Sequence, residues 1–296
     1  MRRTKCLVIG AGPAGITAGI YLKRGGLDPI IIDKNAPGGQ LLKTGDIENY
    51  PGFGVISGPE LAINMLKGLD DLGVKPLYDE VISVTKNNEF IVKTKNDEIH
   101  AEHIIVCTGK EVGKLGLEDE DKLVGRGISY CATCDGFFYR DKITGVVGGG
   151  NSAVSEAIYL SNLCEKVYLF VRSDIKADNI LVSRMKEREN IIVLKGVTIK
   201  KINHDDTVTG VLLNNDEEVL LDGLFLAIGG KPNLSFLSDL NLDLDKGYIK
   251  VDKNMESNIP GLYAAGDVIL KDFYQIITAA NDGVVAALDI IEKEGD

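Results

Sequence analysis

The sequence predicts an α/β fold, because two separate segments each alternate an apolar strand, a helix and a second apolar strand. The first reads KCLVIG, a helical pattern over about 13–24 and DPIIIDK; the second reads DKITGVVGGG, a helical pattern over about 151–163 and KVYLFVR. Each is a β-α-β unit, which is typical of a parallel sheet with crossover helices. The repeat therefore predicts two Rossmann-like domains, each with a nucleotide-sized site.

Shorter strands complete each domain, and their alternation and spacing favour an antiparallel or mixed sheet layer. They read EVISVTK, EFIVKTK and EIHAEHIIVCTG after the first unit, and IIVLKGVTIKKI, TVTGVLLNN and EEVLLDGLFLAIGG after the second. The segment from NIPGLYAAGD onward carries no third glycine fingerprint, so we expect it to return to the first domain. We predict a three-layer ββα fold for both domains, with 113–243 inserted between 1–112 and 244–296.

Composition argues against several classes of protein. The chain has 296 residues, 44% of them hydrophobic, and a formal net charge of −11, which suits a soluble globule of two domains. Lysine and arginine are scattered, which argues against binding to nucleic acid or to an anionic membrane surface. The apolar N-terminus is broken by glycines, which argues against a secretory signal. No later apolar run is long enough to span a bilayer. Five cysteines make no disulfide framework, so we expect a reducing, cytoplasmic location.

The first glycine fingerprint is G-x-G-x-x-G, formed by Gly10, Gly12 and Gly15 between a strand and a helix. Glycines here permit a tight turn, let the backbone approach a pyrophosphate and let the helix pack on the strand. Asp33 ends the next strand, where its carboxylate can accept hydrogen bonds from a ribose. The pattern predicts a dinucleotide site, and a purely structural glycine turn is the alternative.

The second fingerprint consists of Gly148, Gly150 and Ala153 and has the form G-x-G-x-x-A. Arg172 stands where an acid would end the following strand, and Lys176 is nearby. A cation at this position suits the 2′-phosphate of NADPH better than the bare 2′-hydroxyl of NADH. The alternative is that Arg172 is an ordinary solvated arginine.

The stretch YCATCDGFFYR places Cys131 and Cys134 three positions apart, with Asp135 directly after them. This spacing suits a reversible disulfide across one helical turn. Asp135 is a candidate acid/base for the proton that thiol–disulfide exchange moves, and helix capping is its alternative role. A zinc site needs about four ligands, and none of the three histidines has metal spacing, so we favour a redox pair. The remaining cysteines fall singly in apolar patterns and are expected to be buried: Cys6, Cys107 and Cys164.

Two shorter features give weaker signals. Gly266 and Asp267 lie between a strand and the C-terminal helix. A carboxylate there can bind a sugar-alcohol hydroxyl of a flavin, although a helix-capping aspartate is the alternative. Phe137 and Phe138 are adjacent aromatic residues, for which we expect core packing rather than a binding site.

Six motifs in register resemble those of the low-molecular-weight, bacterial-type thioredoxin reductases. They are GAGPAG (10–15), GGQL (38–41), ENYPGF (48–53), CATCD (131–135), GGGNSA (148–153) and GLYAAGD (261–267). The resemblance covers the whole chain and implies a homodimeric FAD enzyme in which NADPH reduces the flavin. The flavin would reduce the Cys131–Cys134 disulfide, and the dithiol would reduce thioredoxin. It further implies that Cys134 faces the flavin and that Cys131 attacks the partner disulfide.

The fingerprints and the resemblance together indicate which residues bind cofactors. In the FAD-binding domain, 1–112 and 244–296, they are Gly10, Gly12, Pro13, Ala14, Gly15, Asp33, Lys34, Gly39, Gln40, Leu41, Asn49, Thr108, Gly109, Gly266, Asp267 and Gln275. In the NAD(P)H-binding domain, 113–243, they are Gly148, Gly150, Asn151, Ser152, Ala153, Arg172 and Lys176. No metal is expected.

The sequence departs from the family pattern in two places. The basic cluster after the second nucleotide strand, usually His-Arg-Arg and then another Arg, reads VRSDIK and keeps only Arg172 and Lys176. The usual Arg-Gln pair before the C-terminal helix reads Tyr274–Gln275. Both changes affect donor preference or the flavin environment. NADH, ferredoxin and a reduced deazaflavin therefore stay open as donors beside NADPH, although GGGNSA favours a pyridine nucleotide.

Two other functions are compatible with parts of the sequence. Related two-domain flavoproteins pass electrons to ferredoxin or oxygen, but they generally lack the cysteine pair. A nucleotide-binding redox sensor could use the pair to switch a partner surface, but it would not need two nucleotide sites. We therefore expect an FAD-dependent thioredoxin-disulfide reductase.

Overall fold

The computed structural model describes residues 1–44, 46–111 and 113–295. Its helices are α1 (Pro13–Arg24), α2 (Gly58–Asp70), α3 (Ala132–Asp135), α4 (Asn151–Ser161), α5 (Asn179–Lys186) and α6 (Ile276–Gly295). Its strands are β1 (Arg2–Ile9), β2 (Ile30–Asp33), β3 (Asp46–Ile47), β4 (Ile56–Ser57), β5 (Leu77–Tyr78), β6 (Val81–Lys86), β7 (Phe90–Thr94), β8 (Glu98–Val106), β9 (Ile128–Ser129), β10 (Ile143–Val147), β11 (Lys166–Val171), β12 (Ile191–Lys195), β13 (Ile199–His204), β14 (Val208–Leu213), β15 (Glu218–Leu220), β16 (Gly223–Leu226), β17 (Leu244–Asp245), β18 (Tyr248–Ile249) and β19 (Leu262–Ala264).

The chain folds into two compact units. The first unit comprises the described residues of Met1–Leu42, Gly52–Glu111 and Lys231–Asp296. The second unit comprises those of Lys43–Pro51 and Val112–Gly230.

The first unit is built on a seven-stranded sheet of order β5-β2-β1-β8-β7-β6, with β19 also pairing with β8. Strands β5, β2, β1, β8 and β19 run parallel, whereas β6 and β7 join as an antiparallel pair. Helix α1 connects β1 to β2, which is the predicted β-α-β unit. The sheet is mixed because the short alternating strands that follow the β-α-β unit extend the same sheet.

Side chains of β1 alternate between two buried clusters, one on each face of this sheet. Cys6 and Val8 join a cluster with α1 and α6, and Leu7 and Ile9 join the cluster on the opposite face. This period of two follows from the pleat of a strand. The sheet is therefore covered on both sides and fixed in register by its apolar residues.

Helices α1 and α6 pack at backbone distance through glycine. A Cβ built on Gly283 of α6 would lie only 2.2 Å from the carbonyl oxygen of Ala14, at the start of α1. Ala14, Ala18 and Ala287 are also buried in this contact, so small side chains line it on both helices. The close packing holds the first turn of α1, which follows the glycine fingerprint, against the C-terminal helix.

The second unit has three layers. A five-stranded parallel sheet of order β12-β11-β10-β16-β9 lies between helices and an antiparallel three-stranded sheet, β13-β14-β15. Val154 and Leu160 of α4 pack on one face of the parallel sheet, and Ile202 and Val211 of the antiparallel sheet pack on the other. The predicted α/β class and its three-layer arrangement are confirmed.

The second crossing between the units lies earlier in the chain than the predicted 243/244. The segment after Lys231 belongs to the first unit because Leu237 is buried there, in the cluster that contains Leu7 of the central strand. The backbone N–H of Glu111 also donates to the carbonyl of Lys231 (3.1 Å), which ties the two connections together. The inclusion of residues 43–51 in the second unit was not predicted. Val112, at the first predicted crossing, and Asp296 lie outside the described residues.

No helix in the described ranges has both the length and the hydropathy needed to cross a membrane.

Substitution of Gly283 by alanine should destabilise the first unit, because the new methyl group would collide with the backbone of Ala14. Overpacking of this kind lowers the free energy of unfolding by about 1–3 kcal/mol. Gly68→Ala in α2 is the matched control, because the added Cβ would be 3.2 Å from the flexible end of Ile20. Urea denaturation of both variants tests this, and wild-type stability of Gly283→Ala would show that the helices can separate without cost.

Candidate functional site

The first glycine turn has no room for a side chain at Gly10 or at Gly15. Gly10 has a φ of +108°, and a Cβ there would lie 2.4 Å from the carbonyl oxygen of Cys107. A Cβ on Gly15 would lie 1.9 Å from the carbonyl oxygen of Gly10. Helix α1 begins at Pro13 after Gly12, and no side-chain cap on its first N–H groups is formed within the described residues. Uncapped donors at a helix N-terminus, reached through glycine, are an arrangement that binds phosphate.

The GGQL segment packs on this turn, as its predicted role requires. The backbone N–H of Gly38 donates to the carbonyl of Ala11 at 2.7 Å. A Cβ on Gly39 would lie 3.0 Å from the Cα of Gly12, so only glycine allows this approach. Leu41 is buried and anchors the segment.

Two more predicted segments reach the same turn. The backbone nitrogen of Thr108 would lie 3.1 Å from a Cβ on Gly10, and Gly109 has a φ of +66°. Gly266 has a φ of +84°, and a Cβ there would lie 3.0 Å from the Cβ of Ala14. Segments that are far apart in sequence therefore converge at the carboxyl ends of β1 and β8, where nucleotides bind parallel sheets.

Asp33 ends β2 as predicted, but the protein's own backbone uses its carboxylate. Oδ2 accepts a hydrogen bond from the N–H of Ala11 (2.7 Å), and Oδ1 accepts one from the N–H of Asn35 (2.8 Å). Asp33 therefore braces the glycine turn, and a ribose would have to use the remaining lone pairs. Lys34, next to it, is exposed.

Asp267 is a desolvated carboxylate beside the turn. Burial raises its pKa, while the positive charges of Lys110 and Lys271 oppose the rise. Within the described residues, no hydrogen bond to its carboxylate is formed. Asp282 fixes the turn below it: Oδ2 accepts from the N–H of Gly266 (3.1 Å) and pairs with the ammonium of Lys271 (2.5 Å). A partly buried, desolvated acceptor without a donor from the described residues is suited to bind a ligand hydroxyl.

A further group of contacts in the first unit involves Gln40, Lys110 and the residues before α6. The side-chain amide of Gln40 donates to the carbonyl of Lys110 (3.3 Å). The ammonium of Lys110 lies 3.3 Å from the ring centroid of Tyr274, a close cation–π contact. Gln275 follows, and its backbone N–H donates to Oγ1 of Thr278 (3.1 Å). Tyr274, which replaces the family's arginine, thus has a lysine on its face.

The second glycine turn repeats the first in the other unit. Gly148 has a φ of +146°, and a Cβ there would lie 2.5 Å from the carbonyl oxygen of Ala227. The same Cβ would lie 2.8 Å from the Cβ of Ala153, which is fully buried. Helix α4 begins after Gly150, again without a side-chain cap. This turn also presents free helix N–H groups through glycine.

Asn151, predicted to bind the cofactor, also holds a loop of the protein. Its amide nitrogen donates to Oδ2 of Asp178 (2.8 Å), and its amide oxygen accepts from the N–H of Asp178 (2.8 Å). This reciprocal pair fixes the end of the loop that follows β11. Ser152, next to it, is exposed.

Three cations and an acid lie at the ends of β11 and β12. Arg172 directly follows β11, Lys176 is in the same loop, and both are exposed. Lys195 ends β12 opposite Val171 in the parallel register. Its ammonium is 3.9 Å from the carboxylate of Asp174, a loose ion pair. The small basic cluster of Arg172 and Lys176 therefore gains a third positive charge from Lys195 on the neighbouring strand. The negative charge of Asp174 acts against this cluster.

Cys131 and Cys134 form a disulfide, with their Cα atoms 5.3 Å apart. Cys131 precedes α3, and its carbonyl accepts from the N–H of Cys134 (3.2 Å), which closes one turn. Both residues are partly exposed. The other cysteines are free and buried, as predicted, and burial raises the pKa of each thiol: Cys6, Cys107 and Cys164.

Asp135 is joined to the backbone of Cys131 through Ser129. The hydroxyl of Ser129 donates to Oδ2 of Asp135 (2.6 Å) and accepts from the N–H of Cys131 (3.1 Å). Burial raises the pKa of Asp135, and the hydrogen bond from Ser129 works against that rise. The side chain of Asp135 does not cap α3, so the helix-capping alternative is excluded.

Phe137 and Phe138 follow the disulfide on the surface. Their side chains are 52% and 37% exposed, so the expectation of core packing is wrong. The guanidinium of Arg140 lies 4.9 Å from the ring centroid of Phe137. Asn49, predicted to lie along a flavin, is exposed and belongs to the second unit. In the part of the chain that the structure describes, no three His, Cys, Asp or Glu side chains are grouped to hold a metal ion.

The family model for pyridine nucleotide-disulphide oxidoreductases matches residues 4–283. The chain belongs to this family. Membership implies a flavin and a nicotinamide cofactor, which agrees with the two glycine turns.

Known relatives indicate which members of this family the chain resembles. A thioredoxin reductase from Mycoplasma genitalium is 42% identical over 96% of this chain and 93% of its own length. The crystal structure of thioredoxin reductase from Streptococcus pyogenes has a TM-score of 0.93 and 37% identity, covering 99% of this chain and 98% of that one. A ferredoxin-flavin thioredoxin reductase from Clostridium acetobutylicum is 32% identical, with a TM-score of 0.56, and covers 100% of this chain and 99% of that one. The resemblance to the low-molecular-weight, bacterial-type thioredoxin reductases is confirmed.

Sequence reasoning missed Ser129, Lys195, Lys271 and Asp282. Ser129 had a local signal, because a serine two residues before a CxxC motif can bond to its backbone. Lys195 becomes relevant only through the register of β12 with β11. Lys271 and Asp282 pair across a turn and a helix, which no sequence spacing reveals.

Proposed function

We propose that the chain is a flavin-dependent thioredoxin-disulfide reductase whose redox-active group is the Cys131–Cys134 disulfide. The observation that carries this proposal is the disulfide itself, partly exposed and followed by a hydrogen-bonded acid. Cross-links stabilise a fold mainly by closing long loops, and this one joins residues only three positions apart. Its role is therefore chemical rather than structural.

FAD is the proposed flavin of the first unit. The turn of residues 10–15 would bind the pyrophosphate at the start of α1, and Asp33 would contribute its free lone pairs to the ribose. Asp267, a desolvated acceptor, would bind a hydroxyl of the sugar-alcohol chain. Gln40 would contact the ring system. The bound flavin supplies two-electron transfer between a nicotinamide and a disulfide.

The thiols and Asp135 perform the exchange with the partner. The Cys131 thiolate attacks the partner disulfide, forms a mixed disulfide and releases one partner thiolate. Cys134 then attacks the sulfur of Cys131, which restores the internal disulfide and releases the second thiolate. Asp135 takes the proton from the Cys134 thiol and gives it to a leaving thiolate. Two electrons and the Cys134 proton pass to the partner, and the other partner thiolate takes its proton from solvent, which received the Cys131 proton when that thiol ionised.

NADPH is the proposed electron donor. The α4 turn would bind its pyrophosphate, and Arg172 and Lys176 would bind the 2′-phosphate. Lys195, one strand away, supports this choice because it adds a positive charge at the same sheet edge. Asp174 opposes it, so we expect a moderate rather than absolute preference over NADH.

The proposed partner is a thioredoxin or thioredoxin-like protein. We further propose a homodimer in the cytoplasm that binds neither nucleic acid nor membranes. The net charge of −11 supports the last point, because a polyanion would be repelled.

A second candidate function is thioredoxin reduction with ferredoxin or a reduced deazaflavin as the donor. The observation in its favour is the thin basic cluster, in which Asp174 pairs with Lys195. The clostridial relative is named a ferredoxin-flavin thioredoxin reductase, which supports this candidate.

Cys131→Ser should abolish thioredoxin reduction and leave the flavin bound, because the nucleophile is lost while every proposed flavin contact remains. A thioredoxin-coupled assay gives the rate, and the flavin absorbance gives occupancy. Cys164→Ser is the matched control: this thiol is free and buried in the same unit, and its loss should leave the turnover intact. Sustained turnover by Cys131→Ser would refute the proposed role of the disulfide.

Asp267→Asn should stabilise the apoprotein at pH 7 and weaken FAD binding. The folded-state pKa of Asp267 is raised above its ordinary 3.8, so its ionised form costs stability above that pKa. The gain should shrink as the pH falls through the raised pKa. Loss of a hydrogen bond to a charged group costs about 1.5–3 kcal/mol, or about 10–100-fold in FAD affinity.

Thermal unfolding of the apoprotein at several pH values and titration with FAD measure the two effects of Asp267→Asn. Asp272→Asn, an exposed aspartate in the same loop, is the control that should change neither. Unchanged FAD affinity in Asp267→Asn would remove this residue from the flavin site.

Anaerobic mixing with NADPH should bleach the flavin faster than mixing with NADH. Arg172→Met should reduce this preference about tenfold, the value of one charged hydrogen bond. Lys200→Met is the control, because Lys200 is an exposed lysine of the antiparallel sheet that pairs with Asp216. Bleaching by neither nucleotide would favour the ferredoxin or deazaflavin donor.

A further inference from the structure

Ser129 connects the redox disulfide to its acid. It is the last residue of β9 and is 4% exposed. A hydroxyl has one proton to donate, and the 2.6 Å contact with Oδ2 of Asp135 is much shorter than the 3.4 Å contact with the carbonyl of Cys131. The proton therefore lies toward Asp135, while the oxygen accepts the N–H of Cys131 at 3.1 Å.

The direction of these bonds assigns separate tasks to the two carboxylate oxygens. Oδ2 is engaged by a donor that favours the ionised form of the acid. Proton exchange is then left to Oδ1. The anchor of Ser129 is rigid, because β9 pairs with β16 in register Phe225–Ser129. The carboxylate is thus held from a strand and not from the short helix that contains the cysteines.

Few other charges act on Asp135. The ionisable side chains on the elements that pack against α3 are Asp46 of β3, Glu156 and Tyr159 of α4, and Tyr139 of the following turn. The pKa of Tyr139 is raised to about 12, by burial and then by Asp135, so it stays neutral at ordinary pH. The forces on Asp135 itself are burial, which raises its pKa, and the Ser129 hydrogen bond, which lowers it.

We propose that Ser129 is a positioning residue for thiol–disulfide exchange: it fixes Asp135 by Oδ2 and sets the pH at which Oδ1 takes and releases its proton. This inference rests on the proposed function. In the exchange, Oδ1 accepts the proton of the Cys134 thiol as its sulfur forms the new bond to Cys131. The same proton passes to the partner sulfur as the mixed disulfide breaks, so electrons and protons balance.

The test compares Ser129→Ala with Ser129→Thr in the full-length, flavin-loaded protein. NMR of protein labelled with ¹³C at the aspartate carboxyl carbons titrates Asp135 directly, and Asp135→Asn assigns its resonance. Single-turnover oxidation of the reduced enzyme by a bacterial thioredoxin, across pH, gives the kinetic profile. Ser161→Ala is the matched control, because Ser161 is a buried serine of the same unit that donates to the carbonyl of Ile158.

Ser129→Ala should raise the Asp135 titration by about one pH unit, the value of one hydrogen bond to a charged group. The limb of the exchange profile that reports Asp135 should move the same way. Ser129→Thr keeps the hydroxyl and should restore both, and Ser161→Ala should move neither. An unshifted Asp135 resonance in Ser129→Ala would overturn the proposal.

A shifted resonance with an unmoved exchange profile would also overturn it, because the proton on Asp135 would then play no part in exchange. The two measurements separate this inference from the proposed function. If the wild-type protein does not reduce thioredoxin, the proposed function fails. The NMR titration, which needs no thioredoxin, still decides whether Ser129 controls the Asp135 proton.

Discussion

In two β-α-β units of this chain, a buried strand passes into a helix through a turn whose first glycine admits no side chain. The carbonyl of Cys107 stands 2.4 Å from a would-be Cβ on Gly10, and that of Ala227 stands 2.5 Å from one on Gly148. These carbonyls belong to the segments that follow the adjacent parallel strand, so sheet pairing itself creates the crowding. Because the turns cannot widen, the helices that follow begin close to the sheet edge with uncapped N–H groups. Every proposed nucleotide contact depends on this geometry.

Several aspartates of this protein lie where burial of a charged side chain costs free energy. Asp267 is desolvated and lacks a hydrogen-bond donor among the described residues, while Asp282 below it is paired with Lys271 and with the backbone of Gly266. The contrast separates a carboxylate that holds the structure from one that is available to a ligand. Asp135 shows a third arrangement, in which one oxygen is held by Ser129 and the other is left for proton transfer. Aspartate therefore has a structural role where its carboxylate is paired, as in Asp282, and a proposed functional role where an oxygen is left free, as in Asp267 and Asp135.

The sequence predicted much of this fold because its strongest signals are local. The β-α-β units were found from hydrophobic period and glycine spacing, and α1 spans Pro13–Arg24, in agreement with the predicted helix. Long-range packing was harder to predict. The segment after Lys231 joins the first unit because Leu237 finds a buried place there, which no composition change announces.

In the candidate site, too, local features were predicted and long-range contacts were not. Glycines and the CxxC motif were recognised because their chemistry restricts the residue type at each position. Asn151 stays a predicted cofactor contact, but its hydrogen bonds to Asp178 across the loop were not predicted. Phe137 and Phe138 were expected in the core, yet the chain turns them outward. Lys195 acquires its place from strand register, so it could be recognised only once β12 was paired with β11.

In the proposed enzyme, a bound flavin and the Cys131–Cys134 disulfide form one electron-accepting system. Anaerobic titration of the purified protein with dithionite, followed by flavin absorbance, counts the electrons that this system accepts. This arrangement predicts about four electrons per chain, two for the disulfide and two for the flavin, and about two when both cysteines are replaced by serine. Uptake of about two electrons by the wild-type protein would contradict it.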